Sequence, residues 1–219
     1  MTLADLDGAL PAPVDFETVQ ERHAASAGRN LLPCDGTIVL YPDFLPEAVA
    51  TELVRSLTAN LAWQQEHLTI YGRRVACPRL TAWYGDPGLA YTYAGIPHVA
   101  SGWPPALATL RAALARLGVT TNSVLCNLYR SGRDHMGWHS DAEPELGPDP
   151  DIASISLGAC RRFLLRHRSL GHRLAVDLPH GSLLRMHGST QHFWQHRLAP
   201  TARPVAPRIN LTFRRIRQP

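Results

Sequence analysis

Three histidines and one aspartate in the second half of the sequence have the types and spacing of metal ligands. His139 and Asp141 are two positions apart, so in an extended segment both side chains point to the same side and can reach one ion. Two histidines and one carboxylate suit non-haem Fe(II), because this set leaves coordination positions open for other molecules. The third ligand is either His192 or His196, which have the same strand parity and which alternation does not separate.

The last strand-like run predicts a binding site for a diacid beside this metal. Polar and apolar residues alternate there, so one face carries only polar side chains: Arg208, Asn210, Thr212 and Arg214. Two guanidinium groups inside a barrel cost several kcal/mol each if they have no anion, and 2-oxoglutarate offers one carboxylate to each. Asn127 and Tyr129 share one face of an earlier strand and could bind the same ligand. The alternative is an exposed strand with a polar outer face.

The segments around these residues have the pattern of short β-strands separated by turn residues, which predicts a β-barrel or sandwich. After Gly36–Leu40, the predicted strands are Val124–Tyr129, Ile152–Leu157, Arg162–Arg166, Arg173–Asp177, Ser182–His187, Gln191–Arg197 and Arg208–Arg215. Two amphipathic helices at about 46–61 and 104–117, each opened by proline, could buttress one sheet. The predicted fold class is therefore mainly β with flanking N-terminal helices, an α+β protein.

Length and composition predict one soluble domain. The 219 residues suit a single core at 31–219, and residues 1–30 lack periodicity, which indicates a flexible extension. Four scattered cysteines predict reduced thiols. No apolar run approaches the about 20 residues of a membrane span, and residues 1–20 carry acids but no basic residue, so no signal peptide is indicated. We therefore expect a cytoplasmic protein and, by default, a monomer.

The charge of the chain favours a polyanionic partner. The first twenty residues hold four of the 18 acids, so the remainder has 18 − 4 = 14 acids against 22 basic residues, or 22 − 14 = +8. All basic residues are arginines, and the lack of lysine by itself suits a GC-rich genome.

Taken together, the motifs resemble those of the AlkB family of nucleic-acid dealkylases over about residues 33–216. The matching segments are N-x-Y-x-x-G at 127–132, W-H-S-D-x-E at 138–143, I-A-S-I-S-L-G-A-C-R at 152–161 and R-x-N-x-T-F-R at 208–214. P-R-L-T-A-W-Y-G-D at 78–86 is similar to the substrate-side segment of the human-type DNA and RNA repair branch. The resemblance implies a double-stranded β-helix (a cupin-like jelly roll) with a nucleotide-recognition segment at about 64–100.

The resemblance also implies the roles of the site residues. The family places the distal histidine twelve residues before the first strand arginine in this branch, and 208 − 196 = 12 selects His196 as the iron ligand beside His139 and Asp141. It implies that Arg208 and Tyr129 hold the far carboxylate of 2-oxoglutarate. The end nearer the iron would be held by Arg214, Asn127 and Asn210.

The implied activity is oxidative demethylation of bases such as 1-methyladenine and 3-methylcytosine in DNA, and in RNA as a second possibility. Fe(II) would be the cofactor, and O₂ and 2-oxoglutarate would be consumed, with release of succinate, CO₂ and formaldehyde. The candidate platforms for the base are Trp83, Tyr84 and the metal ligand His139, and of the two adjacent aromatic residues Tyr84 is favoured. Tyr71 is expected to wedge into the base stack, and Glu143 to lie beside a cationic base. The expected phosphate contacts are Arg73, Arg74, Arg79, Arg161 and Arg162. Ala142 departs from the family pattern, where an acidic residue often occurs.

Two other functions are compatible with parts of this pattern. A 2-oxoglutarate oxygenase acting on a protein side chain or a small molecule would have similar metal and co-substrate motifs. A module that recognises modified bases without catalysis could use the same barrel, but it would have no need of a complete ligand set and both arginines.

Overall fold

Two antiparallel β-sheets face each other across a cavity, and two helices cover the outer face of the larger sheet. The structure, a computed structural model, describes residues 28–70, 72–93, 96–100 and 102–217. The larger sheet comprises, in spatial order, β1 (Thr37–Tyr41), β12 (Ser182–His187), β9 (Ile152–Gly158), β14 (Arg208–Arg214), β7 (Ser123–Tyr129) and β4 (Leu80–Gly85). The smaller sheet comprises β11 (Arg173–Leu178), β10 (Arg161–His167), β13 (Trp194–Leu198) and β8 (Met136–His139).

The remaining elements are helices and short hairpins. They are α1 (Glu47–Asn60), α2 (Pro105–Arg116), the one-turn helix α3 (Thr190–Phe193), the hairpin of β2 (His67–Ile70) and β3 (Arg73–Ala76), and the hairpin of β5 (Ala90–Tyr93) and β6 (Ile96–Val99). This confirms the predicted mainly β class with flanking helices and a double-stranded β-helix core. In the described part of the chain, no helix is both long enough and apolar enough to cross a membrane.

The main core lies between the two long helices and the larger sheet. Each helix buries an apolar stripe, which includes Leu53 and Leu57 of α1 and Leu107 and Leu114 of α2. Burying a leucine contributes about 1.5–3 kcal/mol, so these stripes fix the helices on the sheet. The sheet residues beneath them alternate along each strand, so the residues between them must point to the opposite face, into the cavity.

Strand β14 shows this division most clearly. Ile209, Leu211 and Phe213 belong to the helix-covered core, whereas Arg208 and Arg214 line the cavity. All seven residues of β14 are buried, because the strand lies between β7 and β9 inside the larger sheet. The predicted alternative of an exposed strand is therefore wrong, and the polar face is an interior one.

Among the strands that the sequence predicted, the one that contains His196 differs most from the structure. The run predicted as a strand from Gln191 to Arg197 begins with α3, and its strand covers Trp194–Leu198. Thr190 anchors this turn, because its hydroxyl accepts a hydrogen bond from the backbone N–H of Thr37 (2.9 Å), a contact that local sequence does not reveal. Asn30 lies at the end of the predicted extension, and its Oδ1 accepts hydrogen bonds from the backbone N–H of Leu32 and of Ile38. Residues 1–27 of the predicted extension lie outside the described residues.

Candidate active site

Two histidines and an aspartate converge at one end of the cavity. His139 and His196 are direct neighbours across β8 and β13, with ring centroids 4.3 Å apart. His139 Nε2 lies 3.7 Å from Asp141 Oδ1, and the potential ligand atoms of all three residues lie within 4.8 Å of one another. His192 is outside this group, because it is exposed and lies 3.6 Å from Asp149. The geometry therefore selects His196 from the two histidines that alternation left open.

The protonation states of this group suit metal binding. Burial lowers the pKa of His196 to about 3, and neighbouring His139 acts in the same direction, so the ring is neutral and has a free lone pair. Burial raises the pKa of Asp141, but Arg214 and the two histidines outweigh it, and the pKa lies below its usual range. A neutral His196 and an ionised Asp141, together with the His139 ring, supply the donor types that a 2-His-1-carboxylate iron centre requires.

Asp141 is held by two buried contacts that fix its carboxylate. Its backbone N–H donates to Gln191 Oε1 at 2.9 Å, and its Oδ2 lies 3.0 Å from Arg214 Nη2. Asp141 itself follows β8 in irregular backbone, so it has no ladder partner to position it. Gln191 was not singled out from the sequence, because a strand prediction over this run gave it no reason to approach Asp141.

Arg208 is a buried cation at the other end of the cavity. It is 3% exposed, and burial lowers its pKa to about 10. Its Nη2 donates to Ser156 Oγ at 2.8 Å and its guanidinium lies 5.3 Å from the Tyr129 ring centroid. Among the described residues it has no carboxylate partner, and its buried Nε has no acceptor. A buried charge in this state is costly, so the arrangement fits an anionic ligand at this point.

The two asparagines have more limited roles than the sequence implied. Asn127 Oδ1 accepts from Arg79 Nε at 2.8 Å, so a hydrogen bond from Asn127 to an anion would come from its NH₂ group. Asn210 Nδ2 donates to Ser154 Oγ (2.8 Å) and to the carbonyl of Ile155 (3.1 Å). Asn210 therefore joins β14 to β9, and its amide hydrogens are already used there.

All the residues predicted to bind the metal or 2-oxoglutarate line one cavity between the two sheets. Its walls include His139, Asp141, His196, Asn127, Tyr129, Arg208, Asn210 and Arg214. Arg214 contacts a metal-ligand candidate, whereas Arg208 lies beside Tyr129. A diacid that spans the two arginines would have one carboxylate beside the metal position and the other beside Tyr129.

The position of Tyr84 does not favour it as the base platform. Tyr84 pairs with Val124 on the helix-covered face of β4, packs against the main core, and accepts a hydrogen bond from the backbone N–H of Ala62 (2.9 Å). Trp83 pairs with Leu125, whose side chain lines the cavity, so Trp83 lies on the inner face of the same strand.

Three of the arginines predicted at phosphates are engaged elsewhere. Arg161 is buried, and its guanidinium donates to the backbone carbonyls of Ser131, Asp134 and Ala199, so it fixes loops and is not available to a phosphate. Arg162 pairs with Asp177 on the surface. Arg79 is buried beside Asn127, as described above.

The other predicted substrate contacts are at the periphery or outside the described residues. Arg73 and Arg74 are exposed on β3, while Tyr71 lies outside the described residues. Glu143 is half-buried, and its Oε2 is buried without a donor among the residues that the structure describes.

A second group of potential ligands comprises Cys34, Asp35 and His167. Both ring nitrogens of this histidine are engaged in hydrogen bonds, so neither is free for a metal ion. His167 Nδ1 accepts hydrogen bonds from the backbone N–H groups of Ser169 (3.2 Å) and Leu170 (3.0 Å). Its Nε2 must then carry the proton and donates to Asp35 Oδ2 at 3.1 Å. All four cysteines of the chain are free in the structure.

Comparisons with known proteins agree with this geometry. The sequence model of the 2OG-Fe(II) oxygenase superfamily matches residues 37–214. The chain is 38% identical to alpha-ketoglutarate-dependent dioxygenase alkB homolog 3 of Homo sapiens, over 94% of this chain and 73% of that protein. It is also 38% identical to DNA oxidative demethylase ALKBH2 of Mus musculus, over 98% of this chain and 94% of that protein.

The solved structure of OsALKBH1 has the same fold. It aligns with a TM-score of 0.56 at 19% identity, covering 81% of this chain and 97% of that one. Together with the site, the matched superfamily and the relatives identify the chain as a member of the AlkB family of 2-oxoglutarate- and Fe(II)-dependent dioxygenases, with Fe(II), 2-oxoglutarate and O₂ as its cofactor and co-substrates.

Proposed function

We propose that this protein removes N-linked methyl groups from bases of alkylated DNA and, as a second substrate, RNA. The N–CH₃ group, O₂ and 2-oxoglutarate give N–CH₂OH, succinate and CO₂, and the N–CH₂OH group then breaks its C–N bond to give N–H and formaldehyde. The arrangement that carries the proposal is the ligand group His139, Asp141 and His196 beside two buried arginines. The names of the relatives, which include DNA oxidative demethylases, support nucleic acid as the substrate.

The residues of the cavity would bind and orient the reactants. His139, Asp141 and His196 would hold Fe(II), which with O₂ and the keto acid supplies the oxidation of the methyl carbon. Arg208 and Tyr129 would bind the far carboxylate of 2-oxoglutarate. Arg214 would bind the near carboxylate while keeping Asp141 ionised, since it lies 3.0 Å from that side chain.

Recognition of the base would use the inner face of β4 and the segment at about 64–100. A base in a duplex must leave the stack before its methyl group can be reached, and it then needs an aromatic platform. Trp83 replaces Tyr84 as our candidate for this platform, because it lies on the face of the sheet that lines the cavity. The buried Oε2 of Glu143 would favour a cationic base such as 1-methyladenine over an uncharged one.

Contacts to the nucleic-acid backbone would come from exposed arginines. A surface groove beside the smaller sheet has the exposed residues Arg168, His172 and Arg173 in its lining, and the described residues of this lining include no carboxylate. Arg73 of the β2–β3 hairpin is a further exposed cation. These groups replace Arg161, whose guanidinium is occupied by carbonyls, as candidates for phosphate binding.

The test is mass spectrometry of oligonucleotides that carry one defined lesion, incubated with Fe(II), 2-oxoglutarate and ascorbate. We expect loss of one methyl mass from 1-methyladenine or 3-methylcytosine, with one formaldehyde and one succinate per base, and no loss with the His139→Ala variant. DNA and RNA strands of the same sequence decide the preferred polymer. Unchanged lesions in every strand, while 2-oxoglutarate is consumed in the presence of a methylated peptide or small molecule, would contradict the proposal.

The role of Trp83 has its own test. Stacking on an aromatic side chain contributes about 1–3 kcal/mol per base, so Trp83→Leu should raise the KM for a methylated oligonucleotide about 10-fold. The affinity for 2-oxoglutarate should not change. An unaltered KM would exclude Trp83 as the platform.

A further inference from the structure

The pairing of β8 with β13 contains one extra residue beside the metal position. His196 pairs with His139 and Leu198 with Met136, so two steps along β13 correspond to three steps along β8. Gly137 and Trp138 therefore form a β-bulge opposite Arg197. Because of the extra residue, Met136 and His139 both line the cavity although they are three positions apart, whereas Trp138 is not part of its lining.

The bulge determines which nitrogen of His139 is free. The backbone carbonyl of Gly137 lies 2.9 Å from His139 Nδ1. A carbonyl can only accept a hydrogen bond, so Nδ1 carries a proton, and in the neutral ring the lone pair is then on Nε2. This Nε2 is the atom 3.7 Å from Asp141 Oδ1. The bulge carbonyl thus gives His139 the tautomer and the ring orientation that a metal ligand needs.

Two arginines, Arg166 and Arg197, lie over the indole of Trp138, and the three side chains together are called the clamp. The guanidinium of Arg166 lies 4.4 Å from the Trp138 ring centroid, and that of Arg197 lies 4.7 Å from it. Arg166 is itself fixed, because its Nε and Nη2 donate to Gln195 Oε1 at 3.0 and 2.8 Å. Arg197 directly follows His196, and its buried Nε has no acceptor among the described residues, so the indole face is its principal partner there.

We propose that Trp138, clamped by Arg166 and Arg197, is a positioning residue that fixes the β8 bulge and thereby the metal-binding orientation of His139. The clamp connects the residue before one histidine to the residue after the other, so it restrains both histidines at once. The proposal depends on the Fe(II) dependence of the family and not on the identity of the substrate.

The test is an anaerobic titration of Fe(II) into the protein with 2-oxoglutarate, followed by the visible charge-transfer absorption of the complex. Loss of groups that orient metal ligands typically costs about 10–100-fold in metal affinity, so we expect Trp138→Leu to weaken Fe(II) binding at least about 10-fold. Trp138→Phe keeps an aromatic face and should recover part of the affinity. Because no nucleic acid is present, the result is independent of the demethylation experiment.

The matched control is Trp103→Leu. Trp103 also lies beneath an arginine, Arg111, at 4.8 Å, but it packs on the helix-covered core away from the cavity. It should lose thermal stability with no change in Fe(II) affinity. Equal effects of the two variants on Fe(II) binding, or wild-type affinity in Trp138→Leu, would overturn the proposal.

A second measurement examines the metal-free protein directly. Nitrogen-15 shifts of the His139 ring should show the Nδ1–H tautomer in the wild type and a mixture of tautomers in Trp138→Leu. If Trp138→Leu does not fold, Arg197→Gln takes its place in both measurements. A pure Nδ1–H tautomer together with wild-type Fe(II) affinity in Arg197→Gln would reject the proposal.

Discussion

The cavity has two walls that are built in different ways. The larger sheet carries the candidate co-substrate residues and is called the co-substrate wall; the smaller sheet and the segment after β8 carry the candidate metal ligands and are called the metal wall. In the larger sheet, β14 pairs with β7 and β9 in an unbroken register, and every residue of β7 and β14 is buried. In the smaller sheet, β8 has four residues, contains a bulge, and is followed by Asp141 in irregular backbone. Regular ladders fix the co-substrate side chains collectively. The metal side depends on single contacts, so single substitutions there should reduce metal affinity more than stability.

The largest expected effect comes from His196 on the metal wall. His196→Ala removes a ligand outright, so we expect Fe(II) affinity and turnover to fall by more than about 100-fold, beyond the range for groups that only orient ligands. His192→Ala, four residues earlier on the surface, is the matched control and should behave as the wild type. Iron titration and succinate release measure both, and a defect in His192→Ala of the same size would contradict the assignment.

The next effect separates the two arginines on the co-substrate wall. Arg208→Met should weaken 2-oxoglutarate binding about 100-fold, because two hydrogen bonds to a charged group contribute about 1.5–3 kcal/mol each. The same change should not lower the stability of the ligand-free protein, since Arg208 has no carboxylate partner among the described residues.

Arg214→Met provides the contrast, because it leaves buried Asp141 without its 3.0 Å cation. We expect it to destabilise the ligand-free protein by about 3 kcal/mol. Calorimetry of both variants without ligand and isothermal titration with 2-oxoglutarate separate these outcomes. Equal losses of stability would show that the two arginines do not differ as described.

A smaller effect concerns Gln191, the single side chain that receives the backbone N–H of Asp141. Gln191→Leu leaves that buried donor without a partner, which costs about 1–3 kcal/mol in the free energy of unfolding. If Gln191→Leu unfolds at the same denaturant concentration as the wild type, this contact does not hold Asp141.

The smallest effect is expected for Tyr84→Phe on the covered face of the larger sheet. It removes one hydrogen bond, to the N–H of Ala62, and should lower the free energy of unfolding by about 1 kcal/mol. Demethylation and the affinity for the oligonucleotide should stay unchanged. A marked loss of oligonucleotide binding would restore Tyr84 as a base contact.

The sequence predicted which residues of the co-substrate wall share a face, because the alternation of polar and apolar residues along a strand is local information. The period of two put Arg208 and Arg214 on one polar face and left open whether that face was interior or exposed, and β14 shows that it is interior. Local alternation could not choose between Trp83 and Tyr84, since either face of β4 could have been the inner one. The structure decides it through the pairing of Trp83 with Leu125.

The metal wall could be predicted from the sequence only in part. The spacing of His139 and Asp141 indicated a shared ion, but the bulge at Gly137 depends on register with β13, which is a long-range property. Gln191 was missed for the same reason, because α3 forms through a contact to Thr37 far away in the sequence. Arg161 was expected at a phosphate, but its guanidinium donates to three backbone carbonyls that lie far from it in the sequence. The division into an extension and one domain, the monomeric state and the cytoplasmic location stay predictions.

The most direct measurement is a crystal structure of the protein with Mn(II) and 2-oxoglutarate, grown without substrate. The account predicts one metal ion bound by His139, Asp141 and His196, with the far carboxylate of the keto acid on Arg208 and Tyr129 and the near one beside Arg214. A metal ion on other residues, or a diacid that leaves both arginines without contact, would contradict it.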